Sequence, residues 1–321
     1  MPTPIRPLDG LLAKIEGTYA VDAVPVVGTD AVKLSERLWN LISIDYAWKN
    51  RRDGVHNGSL VPPPPAVPRG RIVTLDFGWE LKGSRSGGAY AAGNKIEAAP
   101  LIRSCCTSET LVTTGGSESL TYAHADTSHD SCTIYAYAAN ELYKIVGCRG
   151  VLSWPINVGV LTTLRFRMQG LLLADPATLT YPGGFTYATP SPLAGVALAM
   201  TVGAWTPDVV TASFDQAATL ARLDSANATD GVQSFDNGET TQPMFHLSAK
   251  MVPNATYDPD ADYKARTPRA LSLVYNTGVQ YNRAKLTTNL YVDNVRHADQ
   301  NGFAGWDIDY LSDASWALLF N

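Results

Sequence analysis

The strongest constraint on the fold of this chain is a two-residue alternation of apolar and polar side chains. In residues 72–82 the odd positions are apolar, and the even positions include Thr74, Asp76, Glu80 and Lys82. Successive side chains of a β-strand point to opposite faces of its sheet, so this period predicts a strand with one packed face and one solvated face. We therefore expect the chain to fold mainly into half-buried β-strands.

The same alternation recurs in both halves of the sequence. Arg165 and Arg167 alternate with apolar residues in residues 164–172, and Asp307 and Asp309 do so near the end of the sequence. Abundant Gly, Pro and Tyr also indicate strands and turns. The alternation predicts solvated strand faces that carry six charged residues: Asp76, Glu80, Arg165, Arg167, Asp307 and Asp309.

Helical signals are short. Residues 92–105 are a candidate for one helix, although Pro100 would interrupt any helix that runs through it. Residues 258–264 are expected to begin a second helix, because proline and acidic residues suit the N-terminal end of a helix.

Two segments are predicted to lie outside the regular strands. Residues 48–71 carry arginines on both sides of four consecutive prolines, which cannot join a sheet ladder and favour a stiff, extended chain. A loop of this length is usually functional or disordered, so we expect an arm that reaches a neighbouring molecule. The residues of this arm are Arg51, Arg52, Pro62, Pro63, Pro64, Pro65, Arg69 and Arg71. Residues 174–195 are either a linker between two halves or a surface loop.

Charge and hydropathy restrict the class of protein. Charged residues make up only 17% of the chain, which suits a surface that copies of the same chain largely cover. A net charge of −5 argues against a protein that grips nucleic acid, but not against a surface that DNA slides past. The sequence shows no signal peptide and no run of about 18 apolar residues. It therefore predicts a protein made in the cytoplasm, with no membrane partner.

Candidate sites for chemistry have simpler explanations. The four cysteines show no C-x-x-C spacing, and a free cysteine is usually buried. Residues 258–262 resemble the start of an EF-hand loop, but Tyr263 stands where that loop needs glycine. One possible metal cluster is interpreted as solvated turn residues: His124, Asp126, His129, Asp130 and Cys132. We therefore expect no catalytic residue, no metal site and no cofactor.

Five strings of residues occur in the order and spacing of a known family. Residues 11–20 (Leu-Leu-Ala-Lys-Ile-Glu-Gly-Thr-Tyr-Ala) resemble its N-terminal segment, and residues 100–106 (Pro-Leu-Ile-Arg-Ser-Cys-Cys) resemble its short helix. Residues 135–150 resemble its central hairpin, residues 164–171 its closing strand, and residues 299–319 its final strands. The family is the tail tube proteins of long-tailed (siphovirus-like), non-contractile bacteriophages and related gene-transfer particles.

The resemblance implies a β-sandwich or barrel domain of the tail-tube type with a short packed helix, and a structural rather than an enzymatic role. Copies of the chain would form rings whose sheets join into a ring-wide β-barrel. Stacked rings would form the conduit for DNA during ejection. The implied partners are further copies of the chain, the tape measure, tail terminator and distal tail proteins, and DNA in passage. The implied location is the virion tail, assembled in the host cytoplasm.

The order of predicted elements suggests two tube domains in tandem. The first would span residues 1–190 and include the arm at residues 48–71, and the second would span residues 191–321. Each half runs from a strand through a short helix to two further strands. Three chains would then close a pseudo-six-fold ring, whereas a single tube domain per chain would require six.

Two other functions are compatible with a β protein of low charge. One is a different structural virion protein, such as a decoration or minor capsid protein, which would not polymerise. The other is a carbohydrate-active enzyme in which Trp154, Trp205 and Trp306 line a sugar cleft. Core packing is the simpler explanation for scattered tryptophans.

Overall fold

The computed structural model has the mainly β architecture that the alternation predicted. It describes residues 9–49, 67–127, 129–179, 181–194, 198–225, 227, 232–240, 242–253, 255–276, 278–300 and 302–321. The strands before residue 190 are β1 (Gly10–Ile15), β2 (Ala31–Val32), β3 (Ile42–Lys49), β4 (Val67–Glu80), β5 (Thr107–Val112), β6 (Ser119–His124), β7 (Cys132–Ala138), β8 (Glu141–Asn157), β9 (Thr163–Leu172) and β10 (Ala177–Thr178). The later strands are β11 (Ala199–Val202), β12 (Val209–Asp215), β13 (Ala218–Asp224), β14 (Val232–Thr240), β15 (Met244–Lys250), β16 (Arg269–Asn276), β17 (Arg283–Gln300), β18 (Phe303–Ser312) and β19 (Ala317–Phe320).

The helices are α1 (Ala99–Arg103), α2 (Pro259–Ala265) and a 3-10 turn at Leu38–Asn40. The prediction of a helix over residues 92–105 is wrong in length, because α1 begins just before Pro100. A proline in the first turn of a helix sacrifices no intrahelical hydrogen bond. The prediction for α2 is confirmed: the Asp258 side chain accepts a hydrogen bond from the Ala261 backbone N–H at 3.0 Å.

Burial follows the predicted alternation. On β4, Leu75 and Phe77 are fully buried, whereas Asp76 between them is exposed. On β9, Phe166 is buried and Arg167 exposed. These strands therefore have one face in the core and one face in solvent.

The same order of strand pairing occurs twice along the chain. Before residue 190 the order is β1–β7–β8–β9–β4–β3, and every pair is antiparallel. After residue 190 it is β11–β16–β17–β18–β15–β12, again antiparallel throughout. In each half the α-helix falls between corresponding strands, α1 between β4 and β7, and α2 between β15 and β16. This repetition supports a tandem duplication, which stays a prediction.

One pair of strands joins the two halves into a continuous sheet. β12 pairs with the last five residues of β8, from Thr211 opposite Asn157 to Asp215 opposite Ser153. The result is an eight-stranded antiparallel array in the order β3–β4–β9–β8–β12–β15–β18–β17. We call this array the ribbon. A second link between the halves is β19, which pairs with both β17 and β6.

The core lies against one face of the ribbon and draws on both halves. Trp154 of β8 stacks on Tyr275 of β16 at 5.5 Å between ring centroids, and Phe214 of β12 lies 5.3 Å from Trp316. The inward side chains of the ribbon belong to a single apolar cluster with those of β1, β6, β7, β16 and β19. The apolar face of the ribbon is therefore covered by the rest of the chain, except along residues 293–300 of β17, where no residue is buried.

The ends of the predicted arm are regular rather than irregular. Trp48 pairs with Pro68 and Lys49 with Val67, so residues 48–49 continue β3 and residues 67–71 begin β4. The expectation of a loop is wrong for these ends, because the β3–β4 ladder continues past a register shift after Tyr46. Arg69 and Arg71 accordingly lie on β4. The other six predicted arm positions fall within residues 50–66, outside the described residues: Arg51, Arg52, Pro62, Pro63, Pro64 and Pro65.

Residues 174–195 pack on the first half where they are described. β10 pairs with β8, and the rings of Tyr181 and Phe185 lie 6.1 and 5.8 Å from that of Tyr137. Leu193 is 1% exposed. Of the two predicted interpretations, these contacts favour a packed surface segment over a free linker.

Candidate functional site

The six charged residues predicted on solvated strand faces lie on the polar face of the ribbon. Residues directly opposite each other in an antiparallel pair share a face. On β4 and β9, Asp76 is opposite Arg167, while Glu80 and Arg165 occupy neighbouring positions of the same face. On β18, Asp307 and Asp309 lie opposite Ser248 and His246 of β15. The pairing of β12 with β8 makes the two sets parts of one continuous surface.

Charges on the first half of this face are paired at the surface. One nitrogen of the Arg165 guanidinium lies 3.1 Å from a Glu36 carboxylate oxygen, and another lies 3.2 Å from Asp76. All three side chains are at least 41% exposed, so solvent screens these pairs and each contributes a fraction of a kcal/mol. Glu80 pairs with Lys82 at 3.2 Å. The pairs orient side chains more than they stabilise the fold.

The second half of the face is organised around Asp309. One Asp309 oxygen lies 2.7 Å from Nδ1 of His246, and the other accepts hydrogen bonds from Arg296 at 2.9 Å and Asn294 at 3.3 Å. Partial burial favours the neutral carboxyl, but the bonds from His246 and Asn294 and the charge of Arg296 outweigh it, so the pKa of Asp309 is lowered. Asp307 accepts a longer bond of 3.4 Å from Gln300.

A shallow depression marks the place where the two halves meet on the polar face. Side chains from β4, β8, β9 and β12 line it: Asp76, Val151, Ser153, Arg165, Arg167 and Asp215. Acidic and basic groups alternate around it. Such a surface gives phosphate groups no cluster of cations to bind.

The possible metal cluster is divided among separate structural contacts. Asp130 binds the Arg103 guanidinium at 2.6 and 2.9 Å, whereas His129 contacts Asp236 at 2.8 Å. His129 is largely buried, so its interpretation as a solvated turn residue is wrong. Cys132 is buried opposite Cys148 on β8. Within the described ranges, no group of three or more His, Cys, Asp or Glu residues is placed to hold a metal ion.

The cysteines and tryptophans behave as core residues. All four cysteines are buried, and burial raises the pKa of the Cys105 and Cys148 thiols well above the usual range. The three tryptophans considered for a sugar cleft are at most 3% exposed, which confirms the explanation by core packing: Trp154, Trp205 and Trp306.

The sequence patterns did not reveal how β13 and β14 attach to the first half. Arg149 donates hydrogen bonds to the Phe235 carbonyl at 2.8 Å and to the His129 carbonyl at 2.7 Å. The Tyr19 hydroxyl accepts one from the Phe235 N–H at 3.0 Å, and the Tyr19 ring lies 5.2 Å from the guanidinium. β13 and β14 pair only with each other among the described strands. Arg149 therefore anchors the β13–β14 hairpin near Phe235, towards the end of the hairpin that lies away from β12 and β15.

The two outermost strands of the ribbon have open edges. Within the described residues, β3 pairs only with β4, and residues 293–300 of β17 pair only with β18. An exposed edge carries unpaired backbone N–H and C=O groups and is a ready site for another strand. No local sequence pattern predicts these edges, because they follow from the order of strand pairing.

Comparison with known proteins adds no family assignment. No protein-family model matches the chain, and no curated protein sequence matches it significantly. Neither described helix is long and apolar enough to cross a membrane. What the chain does must therefore follow from its own residues, above all from the polar face and the open edges of the ribbon.

Proposed function

We propose that this chain is a structural subunit of a phage-type tail tube and acts as a wall element around a lumen through which DNA passes. The observation that carries the proposal is the ribbon, with a polar face in solvent, an apolar face packed against the chain and an open edge at each end. The family resemblance of the sequence gives the same function.

The polar face is the surface that suits a lumen. The apolar face lies under the remaining strands and the helices, so it is closed to a passing molecule. The polar face carries both acidic and basic groups, with carboxylates at Asp76, Asp307 and Asp309. Carboxylates repel phosphate at short range, which favours passage over binding, and the effect fades beyond about 8 Å at physiological salt.

The size of the ribbon agrees with a ring of three chains. Three ribbons of eight strands each would supply 24 strands. At about 4.8 Å per strand, a closed barrel of this size has a backbone diameter of roughly 37 Å before strand tilt widens it. This is wider than a DNA duplex. Six chains would instead supply 48 strands, unless only half of each ribbon faced the lumen.

Stacking of rings is assigned to the two hairpins that extend the ribbon strands. The β3–β4 hairpin includes the predicted arm, and β13–β14 occupies the corresponding place between β12 and β15. Tape measure, tail terminator and distal tail proteins remain the expected partners at the ends of the stack.

Negative-stain electron microscopy of the purified chain, over a range of protein concentrations, tests the proposal. We expect rings with a central hole, and tubes of stacked rings at high concentration. A second structural role, such as decoration of a capsid, would give small soluble oligomers without a hole. Particles that stay monomeric or form only such oligomers at every concentration would contradict the tail-tube function.

A further inference from the structure

The chain contains, within itself, one junction of the kind that could join two copies. Each half contributes four consecutive strands to the ribbon, β3–β4–β9–β8 from the first and β12–β15–β18–β17 from the second. The halves meet where the first strand of the second set pairs with the last strand of the first set. At the outer ends of the ribbon, the first strand of the first set is β3 and the last strand of the second set is β17. Both have open edges in the described structure.

Register shows which residue of β17 corresponds to a residue of β8. The β4–β9 ladder ends at the pair Glu80–Thr163, and the β15–β18 ladder ends at the corresponding pair Lys250–Gly305. Counted from these ends, Arg165 is the third residue on β9 and Asp307 is the third residue on β18. Arg165 lies opposite Ser153 on β8, and Asp307 lies opposite Arg296 on β17. Arg296 therefore takes the place of Ser153. Each of these long strands also has a register shift against its neighbour just before this stretch.

The same counting relates β3 to β12. Counted from Glu80, Thr74 is the seventh residue of β4 in its ladder, and counted from Lys250, Met244 is the seventh residue of β15. Ser43 lies opposite Thr74, and Asp215 lies opposite Met244. Ser43 therefore takes the place of Asp215, the residue that faces Ser153 inside the chain.

Burial differs between β8, whose end pairs with β12, and the corresponding end of β17, whose edge is unpaired in the described structure. On β8, Trp154 and Ile156 are at most 1% exposed under the second half. The corresponding His297 and Asp299 on β17 are exposed. Alternating burial on β17 stops at Asp293, although the strand continues to residue 300. Residues 293–300 of β17 thus form an extended strand, like the end of β8, but among the described strands their outer edge is unpaired, and none of them is buried as the end of β8 is under the second half.

We propose that β3 of one copy pairs antiparallel with the open stretch of β17 of the next copy, with Ser43 opposite Arg296 and Asp45 opposite Asn294. Asp45 then lies diagonally across from Arg296 on the same face, within reach of a charge pair. Such a contact joins two different surfaces of identical chains. It produces a closed ring when the rotation from each copy to the next divides a full turn evenly. It rests on the proposed function only in that the neighbouring copy belongs to the same ring.

Engineered cysteines on the two edges test the register. The variant S43C/R296C should give chain-to-chain disulfides under mild oxidation, visible as dimers and trimers on a non-reducing gel. Two positions on one chain cannot bridge, because about seven strand spacings of about 4.8 Å separate them along the ribbon. The native cysteines are all buried. The variant D45C/N294C tests the same register with exposed residues two positions along each strand, on the same face.

The matched control is S43C/H297C, because His297 points to the opposite face of the strand from Arg296. We expect at least tenfold less cross-linking for this control than for S43C/R296C. Equal cross-linking of both, or rings that form without cross-linking in either register variant, would overturn the proposed junction. Rings or tubes without the cross-link would leave the tail-tube function intact. Cross-linked trimers that never stack would support the junction and count against that function.

Discussion

At the scale of single residues, the best-connected buried carboxylate is Glu16. It is 7% exposed, and each of its two oxygens accepts one backbone N–H, from Gly147 at 2.8 Å and from Ala20 at 2.8 Å. The Ser131 and Thr133 hydroxyls donate to it as well, at 2.6 and 2.9 Å. The side chain thus fastens the segment after β1 to β7 and β8.

Glu16→Gln should therefore destabilise the protein. Whichever oxygen becomes an NH2 group then faces a backbone N–H, and two donors cannot pair. We expect a loss of about 2 kcal/mol in the free energy of unfolding, measured by urea titration. Glu36→Gln, at a half-exposed position of the polar face, should change it by less than about 0.5 kcal/mol. Equal effects of the two substitutions would contradict the role given to Glu16.

The lowered pKa of Asp309 gives stability a defined dependence on pH. A carboxyl whose folded pKa lies below its unfolded value of 3.8 contributes stability above that value and loses it as pH falls through the folded pKa. Asp309→Asn should therefore be destabilised relative to the natural chain at neutral pH. The difference should shrink as the medium becomes more acidic than pH 3.8, measured by thermal unfolding at each pH. A difference that stays constant into acid would show that the carboxylate charge is not involved.

At the scale of elements, alternation succeeded where a strand has one face in the core and one in solvent. β4, β9 and β18 are such strands, and their charged residues could be assigned to a face from sequence. The last part of β17 could not, because residues 293–300 have no apolar face to reveal a period. The length of α1 was overestimated because apolar residues before Pro100 pack in turns rather than in a helix. Pairing across the two halves depends on contacts far apart in sequence, which no local pattern contains.

The anchor of the β13–β14 hairpin can be tested by removing one side chain. Arg149→Met should leave the core folded but release the hairpin around Phe235, since the hydrogen bond to the Phe235 carbonyl and the ion pair with Asp236 are lost. We expect faster amide hydrogen exchange in residues 232–236, by at least tenfold. Arg222→Met is the control, because Arg222 pairs only with Asp224 on the exposed hairpin in the contacts described. Unchanged exchange in Arg149→Met would refute the anchor.

The predicted arm can be tested by a deletion that spares the described strands. Removing residues 57–66 shortens the connection between β3 and β4 without touching either strand. We expect single rings of normal size but no tubes in electron micrographs, because stacking is assigned to this arm. Long tubes from the shortened chain would show that the arm does not join rings.

At the scale of the whole molecule, the tandem order of pairing explains how one chain can present two different ends. In a ring of identical domains every junction is the same, whereas a duplicated chain can vary alternate junctions. The inner junction, between β12 and β8, is buried and apolar on its core side, with Phe214 opposite Trp154. The outer edges carry polar residues such as Ser43, Asp45 and Arg296. Charged and polar edges limit unwanted strand pairing before assembly.

Cryo-electron microscopy of the assembled particle in cross-section tests the central claim most directly. The account predicts three chains per ring, a lumen bounded by 24 strands, and Asp76 and Asp309 facing that lumen. Six chains per ring with only half of each ribbon at the lumen would contradict the tandem arrangement. A lumen bounded by any surface other than the polar face of the ribbon would contradict the account as a whole.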